Sequence, residues 1–328
     1  MQIELWMWLA TVIPLVAIII IDLVVQARHP HEPSFKESAI QSGVYIALAI
    51  GFGWFVGEFW GSDFGNQFIA GFITEKSLSV DNLFVFLIIF TKFAVPRKLQ
   101  SEALLIGIAI ALVLRAIFIA VGAAAIEAFS WIFYIFGAFL VYTAIMLIID
   151  TFHEAKDDAV PGGRVLAMVK RVFPTVDEFH GSKMIVKLDG KKYLTPLLMV
   201  MIVIGTTDVL FALDSIPAVY GLTEEPYIVF TANAFALLGL RQLYFLLSGL
   251  MERLKYLGVG LSIILAWIGF KLVAHALHKN ELPFINGGKH VEWAPEISTE
   301  LSLGVIIVTL TVTTVVSLLA TRNKPAKL

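Results

Sequence analysis

A chain of 328 residues that is 58% hydrophobic, with a mean hydropathy of +0.84, lies well above the apolar content of soluble domains, roughly 45–50%, and excludes a soluble globular class. Its formal net charge of −2 says little, because the arrangement of the charges carries the information, and no nucleic-acid partner is expected. With no cysteine, disulfides, thiolate metal sites and cysteine nucleophiles are excluded, leaving carboxylate, amide, hydroxyl and imidazole groups as ligands.

Runs of about 20 apolar residues mark membrane helices, and they predict spans near 5–25, 38–60, 67–90, 103–125, 130–149, 195–219, 227–250, 256–277 and 300–320. The chain therefore reads as an all-α polytopic membrane protein of about nine transmembrane helices. The first run, Leu5–Val25, has no basic stretch before it and closes on Asp22 and Arg28, the pattern of a retained span rather than a cleaved signal. Trp6, Trp8, Trp54, Trp60 and Trp131 fall near one set of span ends, as an interfacial belt would. Arg28, Lys36, Lys92, Arg97, Lys98, Arg253, Lys255 and the tail residues Arg322, Lys324 and Lys327 flank the opposite ends, and only Lys279 and Lys289 break the pattern. The positive-inside rule then places the N-terminus outside and the C-terminus in the cytoplasm, in a bacterial inner membrane. Asp22, Glu58, Glu127 and Asp150 lie near span ends, where solvation explains them.

The third span carries Glu75, Lys76, Asp81 and Asn82 within FITEKSLSVDNLFVFLIIF. The sixth carries Asp208, Asp214 and Ser215 within MVMIVIGTTDVLFALDSIPAV. An ionised acid at the bilayer centre costs on the order of 3 kcal/mol on insertion scales, so it is rarely idle. Hard cations prefer oxygen ligands, and Glu75, Asp81, Asn82, Asp208, Asp214 and Ser215 together predict a hard-cation site or a proton pathway. The bland alternative is structural pairing with Arg115, Arg241 or Lys76, because buried charges need partners. The acids outnumber the bases and repeat in register, which favours the cation. Arg115 in the fourth span and Arg241 in the seventh read as counterions or gating residues. Lys76 is expected to snorkel outward. Asn82 and Ser215 either ligate or cap a broken helix end, and Met199 and Met201 read as packing.

Residues 151–194 form the one long connection and divide the chain into a first half, 1–150, and a second half, 195–328. This segment is basic and contains Pro161, Gly162, Gly163 and Pro174. Asp189-Gly190 between alternating apolar residues signals a hairpin turn. It reads chiefly as a cytoplasmic linker, and secondarily as a docking point for a cytoplasmic or secretion partner. Beyond it, His275, His278 and His290 cluster near the outer end of the eighth span, as interfacial polar residues or an outer metal-handoff site.

Each acid pair has the same six-residue spacing, and each is followed by a span bearing an arginine. In the topology above the two acidic spans run in opposite directions, so spans 3–5 and 6–8 read as an inverted repeat, an architecture typical of secondary transporters. Spans 1, 2 and 9 are then peripheral. Six residues rotate a straight helix by about 600°, so both acids of a pair cannot aim at one point. Either each pair serves two neighbouring pockets or the helix breaks between them, with Ser77, Ser79 and Pro217 as the means. If the two spans are antiparallel, Glu75 stands level with Asp214 and Asp81 with Asp208, giving two tiers.

EKSLSVDNLFVF and TTDVLFALDSIPAV resemble the two signature segments of the TerC family of integral membrane proteins, the tellurium-resistance and Alx-like group within the LysE-type transporter superfamily, and the resemblance runs over most of the chain. It implies manganese export, with Mn2+ as transported substrate rather than a permanently bound cofactor, and it implies that Glu75, Asp81, Asp208 and Asp214 are the functional acids. The chain departs from the family at Gly205, where relatives often carry a glutamate. The expected function is a secondary transporter exporting a divalent cation by proton exchange, not an enzyme. The alternatives are a non-transporting membrane scaffold for metal loading or secretion partners, and an intramembrane aspartyl protease, for which GTTD at 205–208 is only a partial likeness to GxGD.

Overall fold

The computed structural model describes residues 3–28, 34–129, 131–152, 163–188, 190–247, 256–280 and 282–321. Arg253, Lys255 and the basic tail residues used for orientation lie outside them, as do Pro161, Gly162, Asp189 and the side chains of Glu127 and Asp150. In chain order the helices are α1 (Leu5–Arg28), α2 (Phe35–Trp60), α3 (Ser62–Lys92), α4 (Arg97–Ala128), α5 (Ile132–Phe152), α6 (Gly163–Val172), α7 (Pro196–Tyr220), α8 (Pro226–Leu237), α9 (Leu240–Leu247), α10 (Leu257–His278) and α11 (Thr299–Thr321). A single hairpin, β1 (Ile185–Leu188) and β2 (Lys191–Leu194), precedes α7.

The protein is an all-α polytopic membrane protein. Among the described residues seven helices are long and apolar enough to cross a membrane, and α8 with α9 pass the same test together, bent by 42°. The predicted count of about nine differs by α3. At 31 residues that helix reaches about 46 Å, more than a hydrocarbon core needs, but Glu75, Lys76 and Asp81 cost it apolarity. Helix starts follow their local chemistry: the Ser34 side chain accepts from the Glu37 amide to open α2, and Thr195 caps α7 ahead of Pro196, whose fixed φ suits a first turn.

Residues of α1, α2 and α11 face largely outward, whereas α8 is buried over Tyr227–Leu237. A helix buried all round is apolar all round, and α8 is so except for Thr231 and Asn233. Space beside the glycines fixes the directions of its neighbours. Gly71 on α3 lies against Val219 on α7, while Leu83, Phe86 and Phe90 pack with Leu197, Val200 and Met201, so α3 and α7 are antiparallel. Gly107 meets Ile204 and Gly122 meets Tyr220, so α4 runs parallel to α7. Met199 and Met201 are buried packing residues, as expected.

Helices α5 and α10 cross at backbone contact, and the crossing is reciprocal. A Cβ on Gly137 would stand 2.9 Å from the Gly269 carbonyl oxygen and 3.1 Å from the Val273 nitrogen. A Cβ on Gly269 would stand 2.9 Å from the Gly137 carbonyl oxygen and 3.1 Å from the Val141 nitrogen. Small residues at such crossings let helices approach closely in lipid.

Of the two alternatives for the acid pairs, the helix break is absent. α3 and α7 are continuous through both acid pairs. Ser77 Oγ donates back to the Ile73 carbonyl inside its own helix, and Pro217 lies within α7, which runs on to Tyr220. The break falls instead at Leu238-Gly239, between α8 and α9, where Gly239 adopts φ +73°. The hairpin turn is where Asp-Gly predicted it: β1 pairs with β2 from Ile185–Leu194 to Leu188–Lys191, and Gly190 has φ +79°. The preceding stretch folds back on the bundle, with Phe179 and Met184 packed against the core of α3, α4, α7 and α9.

Candidate cation site

Four helices bring polar side chains to one point. Arg115 from α4 is 1% exposed; Glu75 from α3, Asp208 from α7 and Asn233 from α8 surround it at 0%, 3% and 1%. Arg115 Nη1 donates to Glu75 Oε1 and, at 3.0 Å, to Asn233 Oδ1. Nη2 reaches Asp208 Oδ1 at 3.5 Å. A planar guanidinium with donors on separate nitrogens suits such shared duty, which a lysine ammonium would not. Ion pairs removed from water are tolerated only with good geometry and further hydrogen bonds, and here the bonding is incomplete. Glu75 Oε2, Asp208 Oδ2, Asn233 Nδ2 and Arg115 Nε are all buried without a partner among the described residues.

Glu75 and Asp208 therefore stand level, joined by one guanidinium, in place of the expected tiers of Glu75 with Asp214 and Asp81 with Asp208. The physical reason is the point at which the two antiparallel helices meet Arg115, which is at Glu75 and Asp208 rather than midway between the acids of each pair. With Glu75 and Asp208 level on antiparallel helices, the residues six positions further, about 9 Å along each helix, diverge to opposite sides. Asp81 and Asp214 occupy those further positions on unbroken helix backbone; their side chains are outside the described residues. Asn82 and Ser215 are buried at 6% and 2%, and neither bonds to Arg115. With both helices continuous there, neither residue caps a helix end, and Ser215 Oγ is buried without a partner among the described residues.

Arg241 does not join this group. It is 5% exposed, and its electrostatic neighbours are Asp22, Glu37 and Tyr45, where Tyr45 also donates to Asp22 at 3.0 Å. Asp22 thus has partners beyond solvent. Lys76 points inward rather than snorkelling: its ammonium donates to the main-chain carbonyls of Ala236 and Leu238, each at 3.0 Å. Gly205 faces open space on one side; a Cβ there would meet only Ile110 within 4 Å, at 3.9 Å.

Sequence reasoning missed Asn233. A lone amide in YIVFTANAFALL deserved the same suspicion as the acids, since polar groups at membrane depth are expensive. At the C-terminal end of α10, His275 Nε2 lies 2.9 Å from Glu224 Oε1 and His278 Nε2 lies 3.0 Å from Glu296 Oε1. The histidines thus have separate carboxylates instead of a common centre. Among the described residues no three His, Asp or Glu side chains are grouped closely enough to hold a metal ion.

The model of the integral membrane protein TerC family matches residues 60–325, a stretch that includes every candidate acid. The chain is 45% identical over 318 residues to an uncharacterized membrane protein of Mycobacterium bovis, covering 97% of this chain and 80% of the relative. It is 38% identical over 321 residues to an uncharacterized membrane protein of Myxococcus xanthus, covering 97% and 94%. It is 39% identical over 278 residues to an Escherichia coli protein whose provisional name is membrane-bound redox modulator Alx, covering 82% and 85%. No solved structure matches.

Proposed function

The chain belongs to the TerC family of integral membrane proteins, and on that premise we propose that it is a secondary transporter exporting a divalent cation, Mn2+ before others, in exchange for protons. The observation that carries this is the pair of buried carboxylates, Glu75 and Asp208, from two antiparallel spans, each holding one oxygen on Arg115 and one oxygen without a partner among the described residues. Oxygen ligands suit Mn2+, Mg2+ and Ca2+ alike, so the preference for manganese rests on family resemblance. Asp81 and Asp214 extend the acid path one step to either side. An arriving cation competes with Arg115 for the two carboxylates, and a proton taken up by either acid releases the cargo, since these ligands bind metal only when ionised.

The antiparallel course of α3 and α7 and the reciprocal Gly137–Gly269 crossing support the inverted-repeat reading of α3–α5 against α7–α10, with the N-terminus outside. In such carriers broken spans near the midplane help to form the binding site, and the α8–α9 bend fits that part. The arrangement suits a carrier better than a protease, because an aspartic dyad works through two carboxyls sharing a proton, whereas a guanidinium nitrogen stands on each acid here. It also bears on redox modulation, the function in the Escherichia coli relative's name. A chain with no cysteine has no dithiol of its own to exchange, so any redox effect would follow from the metal it moves.

The test is intracellular manganese in cells expressing Glu75→Gln, Asp208→Asn, Asp81→Asn or Asp214→Asn. Each change removes a charge at nearly constant volume, so each variant should insert normally yet retain manganese at the level of cells without the protein. Wild-type efflux from all four would overturn the assignment. Proton release on adding Mn2+ to the reconstituted protein at pH 7 tests the exchange, and a count of zero with metal still bound would reject it.

A further inference from the structure

We propose that the break between α8 and α9 is a built site for a small monovalent cation of ammonium or potassium size, and that the Lys76 side chain is its tethered occupant. The break interrupts the helical ladder, and carbonyls at a helix C-terminus have no amide four residues on. Two of them, Ala236 O and Leu238 O, converge on the Lys76 ammonium at 3.0 Å each. The carboxyl end of a helix also carries partial negative charge, so α8 presents a cation-attracting terminus in the middle of the bundle.

The geometry is held from two sides. Gly239 has φ +73°, a conformation that L side chains rarely adopt, and a Cβ there would stand 2.7 Å from the Tyr45 ring. Both facts keep position 239 a glycine and fix the direction of the two carbonyls. Main-chain carbonyl rings are the ligands that replace the hydration shell of potassium-sized ions elsewhere. Unlike the acids, these oxygens do not titrate, so the site stands whether or not Glu75 and Asp208 move metal. Its consequence is mechanical. Lys76 is a positioning residue that pins acid-bearing α3 to the end of α8, and any shift of that end against α3 must lift the ammonium from two carbonyls at once, while α9 stays free to swing about Gly239.

Removing the tether should open the site to an outside ion. Thermal unfolding of the purified full chain would be followed in ammonium chloride, potassium chloride and choline chloride at matched ionic strength. Lys76→Ala should unfold several degrees below wild type in choline and recover most of that loss, saturably, in ammonium or potassium. Lys76→Met fills the same space without charge and should stay destabilised in all three salts. Should Lys76→Ala fail to fold in ordinary buffer, its recovery from membranes solubilised in ammonium chloride against choline chloride gives the same readout. Equal behaviour of Lys76→Ala in the three salts, or a Lys76→Met protein as stable as wild type, would overturn the proposal.

Discussion

Arg115 and Arg241 occupy corresponding places in the sequence, each in the span that follows an acidic one, yet they sit in different surroundings. Arg115 is enclosed by α3, α4, α7 and α8, with two acids and an amide at its guanidinium, all of them buried. Arg241 sits on α9 opposite α1 and α2, and its acidic neighbours Asp22 and Glu37 are only part-buried. The first arginine joins the two acid-bearing helices to each other; the second joins the bent span to the peripheral helices, next to the Gln242–Gln41 hydrogen bond of 3.0 Å. A repeated motif can therefore fix where a charge sits along the chain without fixing what it neutralises. That is decided by which faces are closed off from water.

The comparison is broken or sharpened first at Arg115. Arg115→Ala strands Glu75 and Asp208 in a dry core, and removing one partner of a buried pair costs about 3–5 kcal/mol. Thermal unfolding of the detergent-solubilised protein should show a larger loss than at any other single position. Adding Glu75→Gln and Asp208→Asn to Arg115→Ala removes the stranded charges and should restore most of that stability. If the triple variant is no better than Arg115→Ala, the arginine matters through packing rather than charge.

Arg241→Ala should cost less, about 1 kcal/mol, because Asp22 and Glu37 keep access to water and pairs with such access are worth little. Equal losses at the two arginines, read by the same unfolding curve, would erase the distinction drawn between them. Metal efflux sharpens it further: Arg241→Ala leaves Glu75 and Asp208 on their arginine and should retain substantial transport, whereas Arg115→Ala should not.

Much of this was legible in the chain. Hydropathy marks the spans, Asp189-Gly190 marks the hairpin, and the acids announce themselves by their cost in hydrocarbon. What was not legible follows from long-range contact. The targets of Lys76 are carbonyls 160 and 162 residues away, and main-chain acceptors leave no trace in side-chain identity. The level pairing of Glu75 with Asp208 depends on where two helices cross, which spacing within one helix does not encode. Pro217 was misleading because it stands inside α7 without ending it, the helix running on to Tyr220. Gly239 looked like an ordinary glycine in an apolar run and carried the bend.

The solvated limit of the same comparison is Glu224, in the turn between α7 and α8, and the smallest effect is expected there. Its carboxyl is held down to about 2 from an ordinary 4.5, chiefly by the His275 ring nitrogen 2.9 Å away, against the opposing effect of burial and with help from Lys279 at 2.9 Å. The folded carboxyl is thus the stronger acid. Its pairing stabilises the protein fully above about pH 4.5, and that contribution is lost as pH falls toward about 2. Because Glu224 is 45% exposed, solvent screens the pair and the effect is small. Glu224→Gln should lower Tm slightly at pH 6 and flatten its fall between about pH 4.5 and 2, with Arg115→Ala as the reference for a pair that water does not reach. A Glu224→Gln loss at pH 6 as large as that of Arg115→Ala would mean that the outer turn, not the buried arginine, holds the halves together.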